Sequence, residues 1–165
     1  MRNRMQVRLA RLEDLPQITA IYNQAVINTV ATFDTEIKTI ESRIAWFNDH
    51  NERLPILVAE ENSRIFGFSS LSSWSERLAY NKTAELSVYV DEAYHGQGLG
   101  KLLVGKIISE AKEQGIHTIL SRIAGENSIS VQLHTNFGFR SIGIMKEVGY
   151  KFDRYVDVHL FQLML

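Results

Sequence analysis

Apolar positions along this chain recur at two spacings, and the switches between them mark its elements. Residues 6–10 read as a first strand. Asp14 and Pro16 stand where a helix would begin, and Leu15, Ile18, Ile21, Tyr22, Ala25 and Val26 then fall on one helical face. After a polar segment through Thr35, a second helix is predicted over 40–49, carrying Ile44, Trp46 and Phe47. Residues 56–60 and 65–71 read as two strands around the turn Glu61-Asn62-Ser63-Arg64. Residues 83–90 form the next strand, rich in β-branched and aromatic types. Leu99, Leu102, Leu103, Ile107 and Ala111 return to helical spacing within 98–114. A strand over 116–123, a short helix over 128–137 and strands over 140–145 and 156–165 complete the chain. The order β-α-α-β-β-β-α-β-α-β-β predicts an α+β fold with a mixed, mostly antiparallel sheet flanked by helices.

Composition narrows the classes. At 165 residues the chain is expected to form one domain over 1–165, with room for a core. Hydrophobic content of 45% and charged content of 22% suit an ordinary globular protein. A net charge of −1 and no long basic run give no support to a nucleic-acid partner. The absence of cysteine excludes disulfides, thiolate metal sites and a cysteine nucleophile. His50, His95, His117, His134 and His159 show no metal-ligand spacing, so no metal is expected. The basic start Met1-Arg2-Asn3-Arg4-Met5 lacks a following apolar stretch of the kind a signal peptide needs. No apolar run approaches a membrane span. A cytoplasmic protein without a membrane partner is the expectation.

The chemistry concentrates in residues 85–101, Glu-Leu-Ser-Val-Tyr-Val-Asp-Glu-Ala-Tyr-His-Gly-Gln-Gly-Leu-Gly-Lys. A strand runs into a turn with alternating glycines and then into a helix. Such a turn offers several backbone N–H groups to one anion, aided by the positive end of the helix dipole. A dinucleotide fingerprint G-x-G-x-x-G fails, because its third glycine falls on Lys101 or Leu103. A nucleoside-triphosphate loop fails as well, needing glycine at His95 and Ser or Thr at Leu102. Glu85 is a carboxylate inside an otherwise apolar strand, which is costly to bury. Such a group is a candidate general base, a solvent-facing residue or half of a salt bridge.

Gly98 and Gly100 match the pyrophosphate turn R/Q-x-x-G-x-G/A of the GNAT N-acetyltransferases, with His95 in place of Arg or Gln. Thr83 to Val90 resembles the T-A/V-E-x-S/T-V-Y-V strand of the phosphinothricin and methionine sulfoximine acetyltransferases. Residues 125–139 resemble their N-x-x-S-x-x-L-H-x-x-L-G-F helix, with Phe137 for Leu. Residues 148–157 resemble G-x-K-x-G-x-W-x-D, with Asp153 and Tyr155 for Gly and Trp. The resemblance spans nearly the whole chain and implies a GNAT fold.

It also implies acetyl-CoA as co-substrate and no metal. Val88, Tyr89 and Val90 would pair with the pantetheine arm, as an added strand does. Gly96, Gln97, Gly98, Leu99, Gly100 and Lys101 would cradle the pyrophosphate. Asn127 and Ser130 would meet the far side of the pantetheine, although Asn127 also suits a helix N-cap. Glu85 becomes the expected base for the acceptor amine. His134 is the expected proton donor or polar orienter. Arg77 suits a carboxylate or phosphinate, and Phe33, Tyr80 and Lys151 are further candidates around the acceptor. Trp46 and Trp74 read as packing residues. The implied reaction acetylates the α-amine of a small amino acid or analogue, such as phosphinothricin, methionine sulfoximine or methionine sulfone. Acetylation of peptide N-termini and a non-catalytic acyl-CoA sensor are the alternatives. The resemblance implies a homodimer, in which Lys151, Arg154 and Asp157 serve either the pocket or the interface.

Overall fold

The computed structural model describes residues 5–165, and the basic start at residues 1–4 lies outside them. Its elements follow the expected order: β1 (Gln6–Leu9), α1 (Leu15–Asn28), α2 (Ile40–Asn48), β2 (Ile56–Glu61), β3 (Arg64–Ser73), β4 (Thr83–Val90), α3 (Leu99–Glu113), β5 (Thr118–Ala124), α4 (Ser128–Asn136), β6 (Arg140–Lys151) and β7 (Arg154–Met164). The strands form one sheet in the order β1-β2-β3-β4-β5-β7-β6. Every neighbouring pair is antiparallel except β4 and β5.

That parallel pair shapes the molecule. β4 and β5 stay in register at only three positions, Thr83–Thr118, Ala84–Ile119 and Glu85–Leu120. Beyond Glu85, β4 continues beside β3 as far as Val90, while β5 continues beside β7 as far as Ala124. The sheet therefore splits into a V whose inner edges carry unpaired backbone groups. An unpaired edge is a template for another extended chain.

Strand periodicity assigns the two faces of β4. Ala84, Leu86 and Val88 pack with Val104, Ile107 and Ala111 of α3. The other face turns Glu85, Ser87 and Tyr89 toward α1 and α2, where Tyr89 joins Ile18, Tyr22, Trp46 and Phe68. α3 buries Leu99, Leu103, Val104, Ile107, Ile108 and Ala111 along one stripe. At about 1.5–3 kcal/mol for each large side chain, that stripe fixes the helix whose N-terminus carries the glycine turn.

Two elements depart from expectation. On α2 the buried position is Arg43, while Ile44 faces solvent. The last two strands are longer than predicted and meet at Phe152 and Asp153, whose φ angles of 53° and 57° make a two-residue primed turn. The alternation of β6 is obscured because most of the strand is exposed, and because it bulges between Met145 and Gly149 around Glu147 at φ 53°. Asp153 stands where the resembling motif has glycine, and Asp is among the few side chains that tolerate this conformation.

Candidate active site

The V between β4 and β5 encloses a cavity of about 90 Å³, bounded by Leu86 to Tyr89 on one side and Ser121 to Ala124 on the other. Asn127, Ser130 and His134 close it from α4, and Ala31 from the α1–α2 loop. Of the residues expected to hold the pantetheine, Val88, Tyr89, Asn127 and Ser130 line this notch, and Val90 lies one step further along β4. The Oδ1 of Asn127 accepts from the Ser130 amide at 3.0 Å, so the residue caps α4 as its type predicts.

At the open end of the V, β4 leads through a turn into α3. Gly96 and Gly98 have φ angles of 77° and 80°, which an L side chain adopts only with strain. They let the chain fold back so that the amides of Leu99, Gly100 and Lys101, which have no intrahelical acceptor, face outward together. His95, at the departing motif position, faces the Val90 carbonyl with Nε2 at 2.9 Å and therefore donates to it. This bond closes the turn. An unpaired strand edge that ends at an anion-binding helix start fits a pantetheine with a pyrophosphate behind it.

Glu85 stands at the vertex of the V. Its side chain is 22% exposed, and its Oε2 lies 3.2 Å from Arg122 Nε. That oxygen is buried and accepts no hydrogen bond, so the contact is a charge contact with poor alignment. Burial pushes the Glu85 pKa up and the Arg122 charge pulls it back. Arg122 stays half exposed with its guanidinium 4.7 Å from the Trp74 ring. Sequence reading gave Arg122 no role, since a lone cation on an exposed strand position has no signature.

His134 is 2% exposed and wedged against Phe139. Its Nδ1 faces the Ser130 carbonyl at 2.7 Å, and its Nε2 faces Ser121 Oγ at 2.8 Å. A carbonyl only accepts, so Nδ1 carries the proton and Nε2 accepts from the Ser121 hydroxyl. Burial lowers the imidazole pKa and keeps this neutral form.

A second cavity, of about 360 Å³, opens on the α1–α2 face of the sheet. Ser72, Ser70 and Ser87 form part of its floor, and Ser72 is the cross-strand neighbour of Glu85. Tyr22, Asp34, Lys38, Arg43, Trp46 and Tyr89 form its walls. Ser87 and Tyr89 line both cavities, so β4 is the partition between them. The Tyr22 hydroxyl donates to Asp34, and burial with this bond pushes its pKa up to about 12. Lys38 lies 3.6 Å from the same carboxylate.

Neither cavity is lined by Phe33, Arg77, Tyr80 or Lys151. Arg77 and Tyr80 sit in the exposed segment before β4. The Phe33 ring lies against Gly149, where an added Cβ would come within 2.3 Å of it. Lys151 is buried and its Nζ donates to the Thr32 carbonyl at 2.8 Å. These last two fasten the α1–α2 loop to the end of β6. Among the described residues no group of His, Asp and Glu is arranged to hold a metal ion.

The chain matches the family model for the acetyltransferase (GNAT) domain over residues 7–160. It belongs to the GNAT acetyltransferase family. Among relatives of this GNAT chain, the L-methionine sulfoximine/L-methionine sulfone acetyltransferase of Salmonella typhimurium is 36% identical over 162 residues, covering 98% of this chain and 95% of that one. The phosphinothricin N-acetyltransferase of Streptomyces coelicolor is 38% identical over 158 residues, covering 93% and 92%. A solved acetyltransferase from Salmonella typhimurium with its cofactor acetyl-CoA superposes with a TM-score of 0.95 at 36% identity, covering 99% of this chain and 95% of that one. The co-substrate of this GNAT chain is acetyl-CoA.

Proposed function

We propose that this chain transfers acetyl from acetyl-CoA to the α-amine of a small amino acid bearing an oxidised sulfur or phosphorus. Methionine sulfoximine, methionine sulfone and phosphinothricin represent the class. The observation that carries this reading is Glu85 at the vertex of the V, with the β4–β5 notch on one side and the roomier cavity on the other. The printed activities of the relatives support the acceptor class.

Acetyl-CoA supplies an activated acyl carbon; the protein supplies position and proton transfer. In this reading the edge from Val88 to Val90 pairs with the pantetheine, and residues 96–101 hold the pyrophosphate. Glu85 takes a proton from the acceptor's ammonium, directly or through a water, so that the nitrogen lone pair is free to attack. A raised carboxylate pKa suits that task, because the base then matches working pH more closely. A backbone N–H near Val88 meets the oxygen that gains charge as the amine adds. His134 orients the Ser121 hydroxyl beside the notch; with Nε2 accepting, it carries no proton there to give, so as the C–S bond breaks CoA leaves as its thiolate and takes up the proton shed by the acetylated nitrogen.

The same reading makes the protein a homodimer of the cytoplasm, where acetyl-CoA is made and used. β6 is an edge strand with Ile142, Ile144, Val148 and Tyr150 half or more exposed, and Phe152 and Tyr155 beside them. A long apolar edge of this kind is a liability unless covered. No helix among the described residues is long and apolar enough to cross a membrane. Thiol release from acetyl-CoA tests the activity, using methionine sulfoximine, methionine sulfone, phosphinothricin, the common amino acids and N-terminal peptides. Saturable release with the oxidised analogues and none with peptides is expected. Release with peptides alone overturns the acceptor class.

A further inference from the structure

Arg43 is 7% exposed on the face of α2 that looks onto the sheet. Its guanidinium lies 3.7 Å from the Trp46 ring and 4.4 Å from the Tyr22 ring. Among the described residues its side chain makes no ion pair and no hydrogen bond, and its Nε is fully buried without a partner. The nearest acid in the cavity, Asp34, is taken by the Tyr22 hydroxyl and by Lys38. Arginine is almost never buried without a carboxylate, because removing its hydration is costly unless something replaces it. Burial here already weakens the hold on its proton, against the opposing pull of Tyr22, Tyr89 and Asp34. Stacking on two aromatic faces offsets part of that cost, yet leaves the in-plane N–H groups unused. They border a cavity of about 360 Å³, within the size range of small-ligand sites.

Building on the amino acid acetyltransferase reading, we infer that Arg43 is the subsite for the oxygen-bearing end of the acceptor's side chain, donating N–H groups to a sulfone, sulfoximine or phosphinate oxygen.

Spacing separates this role from binding the acceptor's α-carboxylate. Glu85, Ser87 and Tyr89 follow one another on the same face of β4, so the base and the Tyr89 end of the cavity are about 13 Å apart along the strand. Tyr22 meets Tyr89 edge-on at 5.2 Å, which sets that side of the Arg43 stack toward the far end, while Trp46 on its other side packs on His50. The acceptor's α-carboxyl carbon is two bonds from its amine and stays within about 2.5 Å of it, beside Glu85. A sulfur or phosphorus at the γ-carbon is four bonds away and reaches about 5 Å, with its oxygens further still. With the amine near Glu85, the distal oxygens reach further toward Arg43 than the α-carboxylate does. A donor left buried and unpaired also discriminates against an analogue without the oxygen, since that analogue leaves the guanidinium unsatisfied.

The test compares methionine sulfone with methionine, which differ by two oxygens on sulfur. Wild-type protein is expected to prefer the sulfone in kcat/KM. Arg43→Met is expected to cut the sulfone-to-methionine ratio by about 10- to 100-fold, mostly through KM, with acetyl-CoA affinity unchanged. Arg43→Lys, which keeps charge but loses the planar fork, should recover part of the ratio. An unchanged ratio, or an equal loss for both acceptors with a lowered Tm, overturns the inference and leaves Arg43 a packing residue. If Arg43→Met does not fold, a Trp74→Phe protein leaves Trp46 as the only tryptophan. Its emission should then shift with methionine sulfone at lower concentration than with methionine, and equal responses overturn the inference. Wild-type protein that acetylates neither compound refutes the parent reading of function instead, and this inference with it.

Discussion

Glu85 is half-buried and His134 buried, each at a cost to its charged form, and each leaves a signature in stability. The Glu85 pKa is raised on folding, so the folded state binds its proton more tightly than the unfolded chain. Its ionised form therefore costs stability at neutral pH, and that cost disappears as pH falls below the usual carboxylate range. Glu85→Gln removes the charge, and we expect its Tm at pH 7 to exceed that of wild type by a few degrees, with the gap closing toward pH 4. Differential scanning calorimetry across that range checks the sign. For His134 the pKa is lowered, so the unfolded chain takes up the proton first as pH drops. The stability supplied by neutral His134 is present above about pH 6.5 and fades below it. His134→Gln should weaken that dependence while costing about 1–3 kcal/mol at pH 7.5 through the orphaned Ser121 and Ser130 partners. Urea denaturation at pH 5.5 and 7.5 measures both effects.

At the scale of elements, the pyrophosphate role proposed for the glycine turn joins stability to co-substrate binding. Gly98 sits at φ 80° with open space around a hypothetical Cβ, so Gly98→Ala strains the backbone without a clash. We expect a cost of about 1–2 kcal/mol from the left-handed conformation. A larger proportional rise in the acetyl-CoA dissociation constant should follow, because the amides of residues 99–101 lose their common aim. Calorimetric titration with acetyl-CoA and, separately, with CoA checks this. The turn, the strand before it and α3 after it were legible in sequence, because local spacing dictates all three. Arg43 was not. The pattern of α2 singled out Ile44, Trp46 and Phe47 as its apolar positions, and an arginine on a short helix reads as solvated surface. Only the packing of α2 over Tyr22 shows that it is Arg43 that turns inward. Arg77, Tyr80, Phe33 and Lys151 show the converse. Their side chains have the right chemistry for an acceptor, yet topology sets them outside both cavities. Whether a residue faces a cavity depends on tertiary contacts such as Phe33 against Gly149, which carry no sequence period.

For the whole molecule, the split of the sheet is the organising fact. Among the described residues six strand pairs hold seven strands together, but only β4 and β5 run parallel, and they part after Glu85. In the proposed function one side of β4 receives the acyl donor and the other the acceptor, and Ser87 and Tyr89 line both cavities. At the far end of the sheet, the exposed edge of β6 should be covered by a second copy. Paired substitutions Ile144→Lys and Tyr150→Lys are expected to convert a dimer to a monomer by light scattering after size exclusion. A wild-type monomer at micromolar concentration contradicts that assembly.

The measurement that tests the account most directly is the rate of acetyl transfer to methionine sulfone by Glu85→Gln under saturating acetyl-CoA. The account predicts that kcat falls by about 100- to 10,000-fold relative to wild type, while the acetyl-CoA dissociation constant is unchanged and the residual rate climbs with pH as free amine becomes available. A variant that binds acetyl-CoA and turns over at the wild-type rate contradicts it and removes Glu85 from the chemistry.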